Sequence, residues 1–172
     1  KVRQWVGNGI HKLVERALTG ELEGRPIKEV FDIAYPIFLD LYEDNATERS
    51  YLYDGVREGL DYLQSQGYQL GCVTNKSEQF THPLLQVLGI FNDFKIIISG
   101  DTLAKRKPDP MPLLYCAEHF NLKPEECLML GDSVSDVKAA RAAGFDIICM
   151  SYGYNHGNDI GDENPDLVID SM

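Results

Sequence analysis

Four side chains stand where they could do chemistry, each just past an apolar run. Thr74, followed by Asn75, ends YQLGCVT (68–74). Lys107, followed by Pro108, lies in the loop after FKIIIS (94–99). Asp132 and Asp136 follow CLML (127–130) in the stretch LGDSVSD (130–136). A hydroxyl and backbone N–H groups donate to phosphate oxygens, a lysine neutralises charge, and aspartates ligate a hard cation such as Mg²⁺. Together these residues suit a small phosphate and a divalent metal.

Each residue also has a plainer reading. Thr74 reads as a strand-end cap and Lys107 as a solvated loop lysine. Asp132 or Ser133 reads as a helix N-cap, and Asp136 as a first-turn acid favoured by the helix dipole. His11, His82, His119 and His156, with Cys72, Cys116, Cys127 and Cys149, show no metal-ligand spacing. What the separate readings leave unexplained is the order: Thr, then Lys-Pro, then Gly-Asp-x-x-x-Asp, at successive strand ends.

The positioning elements fall into two regimes. Residues 1 to about 50 read as helical. Ile10, Leu13, Val14, Ala17 and Leu18 keep helical spacing up to Gly20. Val30, Ile33, Ala34, Ile37, Phe38 and Leu41 repeat it, with a kink expected at Pro36. Beyond, helix and strand alternate. Strands are expected at 68–74, 94–99, 127–130, 145–150 and 167–169. Helices are expected from Val56 to Gly67, from Ser77 to Gly89, at 111–120 with Leu113, Leu114, Ala117 and Phe120 inward, and at 134–143. Apolar strands alternating with helices predict an α/β fold, a Rossmann-like parallel sheet covered on both faces. In such sheets ligands bind at the carboxyl ends of the strands, where these polar residues gather.

Composition narrows the partners. Sixteen Lys and Arg against 27 Asp and Glu give a formal charge of −11. That argues against a nucleic-acid or anionic-membrane surface, though not against one small phosphate in a local pocket. No apolar run reaches the length of a membrane span. Four scattered cysteines, three in apolar stretches, read as free thiols in a reducing, cytoplasmic compartment. The chain starts at Lys1 and stops at Met172 just after an apolar triplet, and is expected to be a fragment at both ends.

The ordered set resembles the haloacid dehalogenase superfamily of phosphohydrolases, and within it the phosphoglycolate phosphatase branch. VTNK (73–76), KRKPDP (105–110) and LGDSVSD (130–136) match three of its motifs; WVGNG (5–9) resembles the start of its helical cap, and RAAGFDIICMSYGYN (141–155) the segment after the acidic motif. The resemblance implies a Mg²⁺-dependent phosphatase working through an aspartyl-phosphate on a small phosphorylated metabolite; a monomer and a homodimer are both open. It implies that Thr74, Asn75 and Lys107 hold the phosphoryl group and that Asp132 ligates Mg²⁺. Asp136, one turn on and facing the same side, would ligate it too, tune its water shell or orient Lys107. Gly7, Asn8 and Gly9 would meet the substrate, although the two glycines equally suit a plain turn before the helix. Residues 1–52 would form a partial helical cap, and 53–172 a core lacking its first strand.

One departure is plain. The family's nucleophile, the first Asp of Asp-x-Asp-Gly-Thr, has no counterpart in the sequence; Tyr53-Asp54-Gly55 is the nearest shape and reads as a turn. It is expected upstream of Lys1. A sugar phosphomutase of the β-phosphoglucomutase kind shares the motifs. A haloacid dehalogenase proper works without Mg²⁺, which the two aspartates disfavour. A receiver domain, a non-catalytic phospho-switch, places its acidic pair before Thr and Lys, the reverse of the order here; a binding fragment is the remaining alternative. The 172-residue chain alone is therefore expected to release no phosphate above a Lys107→Ala control, and Lys107-dependent turnover would show the nucleophile to be misplaced.

Overall fold

The apolar runs condense into short parallel strands with helices between them. The structure, a computed structural model, describes residues 2–6, 9–153, 155 and 157–172, with backbone only at 3, 4 and 44. Helices α1 (Val2–Trp5), α2 (Ile10–Thr19) and α3 (Lys28–Asn45) come first. Then follow α4 (Val56–Ser65), β1 (Gly71–Val73), α5 (Glu78–Val87), β2 (Ile96–Ile98), α6 (Met111–Phe120), β3 (Leu128–Gly131), α7 (Val134–Ala143), β4 (Asp146–Met150) and β5 (Leu167–Ile169).

The expected single sheet is two sheets among the described residues. Strands β1 and β2 pair in parallel, with Cys72 opposite Ile97. The other sheet runs β3-β4-β5, also parallel, with Leu130 opposite Ile148 and Cys149 opposite Val168. A strand extends only as far as a neighbour pairs with it. With β2 as its one partner, β1 is shorter than the apolar run 68–74 that feeds it.

Each sheet has its own core. Leu60 of α4 and Leu85 of α5 pack with Ile90 over Cys72 and Ile97. Val73, one residue on and therefore on the opposite face, packs instead against the larger core. That core joins Leu113 and Ala117 of α6, Val137, Ala139 and Ala140 of α7, and Ile147 and Cys149 of β4. The alanines of α7 let its backbone approach β4 closely, and Ala139, Ala140 and Ile147 are fully buried. Helix α6 touches β1, β2 and α7, so it ties the two sheets together. The cysteines are free, and burial pushes the Cys116 thiol up to about 12.

Three expectations about helix faces need correction. On α6, Leu114 is exposed, and Pro112 and Cys116 are buried with Leu113 and Ala117. On α2, Ala17 and Leu18 face outward. Val14 is buried as expected, and so is Arg16, whose Nε and Nη1 donate to Leu22 O at 2.8 Å and Trp5 O at 2.9 Å; satisfied by carbonyls, its guanidinium sits inside. On α3 the aliphatic stripe Val30, Ile33, Ile37 and Leu41 is exposed, and the half-buried face is Phe31, Ala34, Tyr35, Phe38, Leu39 and Tyr42. The rings decide this: Phe31 stacks on Tyr35, Phe38 stacks on Tyr42, and Tyr42 meets Phe80 edge-on, which buries more area than the aliphatic stripe would. Pro36 lies inside an unbroken α3.

The last strand is fastened by one carboxylate. Asp166 accepts from both terminal nitrogens of Arg141 at 3.0 and 2.8 Å and from Ile147 N at 2.7 Å, joining β5 to α7 and β4. Arg141 foremost, then the Ile147 N–H, holds this carboxyl below its ordinary value of 3.8. A depressed carboxylate stabilises fully above its unfolded value and loses that contribution as pH falls through the folded one. In denaturant melts Asp166→Asn is therefore less stable than the wild type near neutrality, and the gap closes as pH falls below 3.8. Ile147→Ala is expected to cost about 2–5 kcal/mol in the same melts, because the site cannot collapse, against less than about 1 kcal/mol for the half-exposed Leu128→Ala.

Candidate active site

The site assembles where β1 and β3 end. Thr74 continues β1 by one bond, its N–H donating to Ile98 O at 2.9 Å, and its Oγ1 accepts from Lys76 N at 3.1 Å. This tight turn points the chain away from the sheet and leaves Thr74 and Asn75 on the wall of a cleft of about 950 Å³. Asn75 Nδ2 donates to Lys107 O at 2.9 Å, which anchors the 105–110 loop to the end of β1. Its Oδ1 is buried without a hydrogen-bond partner among the described residues, an orphaned acceptor at the cleft.

Lys107 is the central group. It is 8% exposed, and its Nζ donates to Val73 O, at the end of β1, and pairs with Asp136 Oδ1 at 2.7 Å, just beyond β3. One ammonium thus spans the interval between the two sheets. Asp136 is 4% exposed. Its Oδ2 accepts from Ser133 Oγ at 2.8 Å, Ser133 N at 3.0 Å and Asp132 N at 3.1 Å. Burial alone would raise its pKa; the Lys107 ammonium, with the hydrogen bonds from Lys107, Ser133 and Asp132, more than offsets this and holds the carboxyl below its ordinary value.

Local sequence makes this crowding feasible. A side chain at residue 131 would place its Cβ 2.5 Å from Asp136 Cβ, so glycine there lets the carboxylate fold back over the strand end. A Cβ at residue 153 would overlap the Asp132 carboxylate, so Gly153 makes room for Asp132. Asn155, 8% exposed, accepts from Val134 N at 3.1 Å and fixes the first turn of α7 from the loop after β4.

The opposite wall comes from α2 and α3: Gly9, Ile10 and His11 at the start of α2, and Tyr35, Leu39 and Tyr42 from α3. Lys76 joins the walls. Its Nζ donates to Tyr42 OH and stands 4.8 Å from the centre of that ring. Arg106 also lines the cleft.

The structure therefore brings Thr74, Asn75, Lys107, Asp132, Asp136 and Gly9 to one cleft. Gly7, Asn8 and His156 lie outside the described residues. Asp54 sits in a turn before α4 and is not among the lining residues; among those, the carboxylates are Asp101, Asp132 and Asp136. Sequence reasoning did not find the parts played by Tyr42, Lys76 and Asn155. Lys76 and Asn155 stood inside quoted motifs without a role, and Tyr42 carried no signal, since an aromatic at helical spacing reads as core.

The family model described as haloacid dehalogenase-like hydrolase matches residues 7–150. A phosphoglycolate phosphatase of Nitrosococcus oceani is 61% identical over 172 residues, which is 100% of this chain and 76% of that protein. One of Nitrosospira multiformis is 44% identical over 99% of this chain and 75% of its own length. A crystal structure described as a predicted phosphoglycolate phosphatase from Haemophilus somnus superposes with a TM-score of 0.91 at 35% identity, covering 99% of this chain and 77% of that one. With the ordered motifs meeting in one cleft at the ends of parallel strands, these likenesses place the chain in the haloacid dehalogenase-like hydrolase family, on the branch of phosphatases named for phosphoglycolate.

Proposed function

We propose that this cleft belongs to a Mg²⁺-dependent phosphomonoesterase that converts 2-phosphoglycolate to glycolate and phosphate through an aspartyl-phosphate. The observation that carries the reading is the buried Lys107 ammonium, held by Asp136 and Val73 O beside Thr74, Asn75 and Asp132. A buried positive charge at convergent hydroxyl and amide donors suits a phosphoryl group, whose charge spreads over its equatorial oxygens.

In this reading Thr74 Oγ1 and the Asn75 N–H donate to the phosphoryl oxygens, and Lys107 balances their charge. An aspartate that the 172 residues do not supply attacks phosphorus; the P–O bond to glycolate breaks, and the leaving oxygen takes its proton from the second Asp of the same Asp-x-Asp motif. Water then attacks the acyl phosphate and releases phosphate, restoring the carboxylate. Mg²⁺ usually keeps several waters and takes one or two carboxylates. Asp132, accommodated by Gly153, fits that role. Asp136 has Oδ1 on Lys107 and Oδ2 on three donors, which favours it as the group that orients Lys107. No group of three or more His, Cys, Asp and Glu converges among the described residues, so the donor set here is partial. When bound, the ion would supply charge neutralisation on the phosphoryl oxygens.

Residues 1–52 serve as the cap and 53–172 as the core, a division supported by a cleft lined from both parts. A small metabolite suits that volume, and a charge of −11 disfavours polyanions. No helix among the described residues is long and apolar enough to cross a membrane, and a cytoplasmic setting accords with the free thiols.

The test is phosphate release by the full-length native protein. Release from 2-phosphoglycolate is expected to need Mg²⁺, to stop with EDTA, and to exceed release from hexose phosphates. Lys107→Met is expected to lower kcat by about 10²–10³-fold. Preference for a hexose phosphate would overturn the substrate, and Mg²⁺-independent or absent release would overturn the chemistry.

A further inference from the structure

Three long cations line the cleft, Lys76, Arg106 and Lys107, and they are not equivalent. Lys107 is committed to Asp136. Lys76 is engaged by the hydroxyl and ring of Tyr42. The Arg106 side chain has neither a hydrogen bond nor an ion pair among the described residues. Of the acids in its own loop, Asp109 is taken by Lys105 at 2.8 Å and Asp101 Oδ1 by the Glu78 N–H at 2.8 Å.

Arg106 is nevertheless placed. Its guanidinium rests against the backbone of Gly9, the residue that caps α2. A Cβ built there would stand 2.8 Å from Nη1 and 3.7 Å from Cζ, and Gly9 has φ +90°, which disfavours any side chain. An unmatched guanidinium therefore lies where the first helices meet the 105–110 loop, in the cleft that holds the phosphate donors. A phosphate ester with an uncharged tail leaves it unmatched. A tail ending in a carboxylate gives the planar fork its natural partner.

We propose that Arg106 is a specificity-determining residue that binds the carboxylate of the substrate and selects small phosphomonoesters bearing one. This rests on the phosphatase assignment above and names the second group that the same cleft recognises.

The experiment compares Arg106→Met with the wild type in the full-length protein, using 2-phosphoglycolate and ethyl phosphate, which has the same two-carbon skeleton without the carboxylate. The variant is expected to lose about 10–100-fold in kcat/KM on 2-phosphoglycolate, mostly through KM, as removal of a charge-assisted contact does. On ethyl phosphate it should change by less than about 3-fold, since no charge meets Arg106 there. Arg106→Lys should recover only part of the loss, because an ammonium cannot fork. An equal fall on both esters would mark Arg106 as merely structural and overturn the proposal, as would an unchanged rate on 2-phosphoglycolate. If the wild type hydrolyses neither ester, the phosphatase assignment falls and takes this one with it. If it hydrolyses both and the variant keeps the wild-type ratio, only the role of Arg106 falls.

Discussion

A lysine ammonium that is 8% exposed must find compensation inside the protein, and the neighbourhood of Lys107 is organised by that need. Asp136 supplies the countercharge and Val73 O a second acceptor. For Asp136 to reach Lys107, the chain must leave β3 in a tight turn and begin a helix at once. Gly131 permits the close approach, and Ser133 and the Asp132 N–H hold the other carboxylate oxygen. Breaking one partner of such a pair strands a buried charge, which costs far more than the pair itself stabilises.

The same pair links two sheets that share no ladder among the described residues. Helix α6 spans them through apolar packing, which is strong but indifferent to small shifts. Lys107 adds what packing lacks, a directional contact to the end of each sheet. The residues with chemical reach are then fixed from rigid elements: Thr74 by its bond to Ile98 O, and α7 by Asn155 at its first turn. Against an overall charge of −11, Lys76, Arg106 and Lys107 bring positive charge to the cleft beside Asp101, Asp132 and Asp136.

The first helices contribute the other wall, and their contact is aromatic and cationic. Tyr42 of α3 meets Phe80 of α5 and the ammonium of Lys76. Such contacts are modest one by one.

The sequence by itself determined the class of fold, the order of the elements and which motifs would meet. Periodicity reports on local geometry, and parallel strands put their carboxyl ends on one edge, so Thr74, Lys107, Asp132 and Asp136 could be assigned to one site before any coordinates. It did not determine which face of α3 is covered, because Val30, Ile33, Ile37 and Leu41 keep helical spacing as well as Phe31, Tyr35, Phe38 and Tyr42 do. Nor did it tell Arg16 from a surface arginine, since the carbonyls that satisfy it come from distant turns. Tertiary structure decided these, and it decided which groups Asp136, the second of the two aspartates, holds. Both are carboxylates at a strand end; only three-dimensional contact shows that Asp136 has its oxygens on Lys107, Ser133 and Asp132 N, because hydrogen-bond partners are set by proximity in space and not by position along the chain.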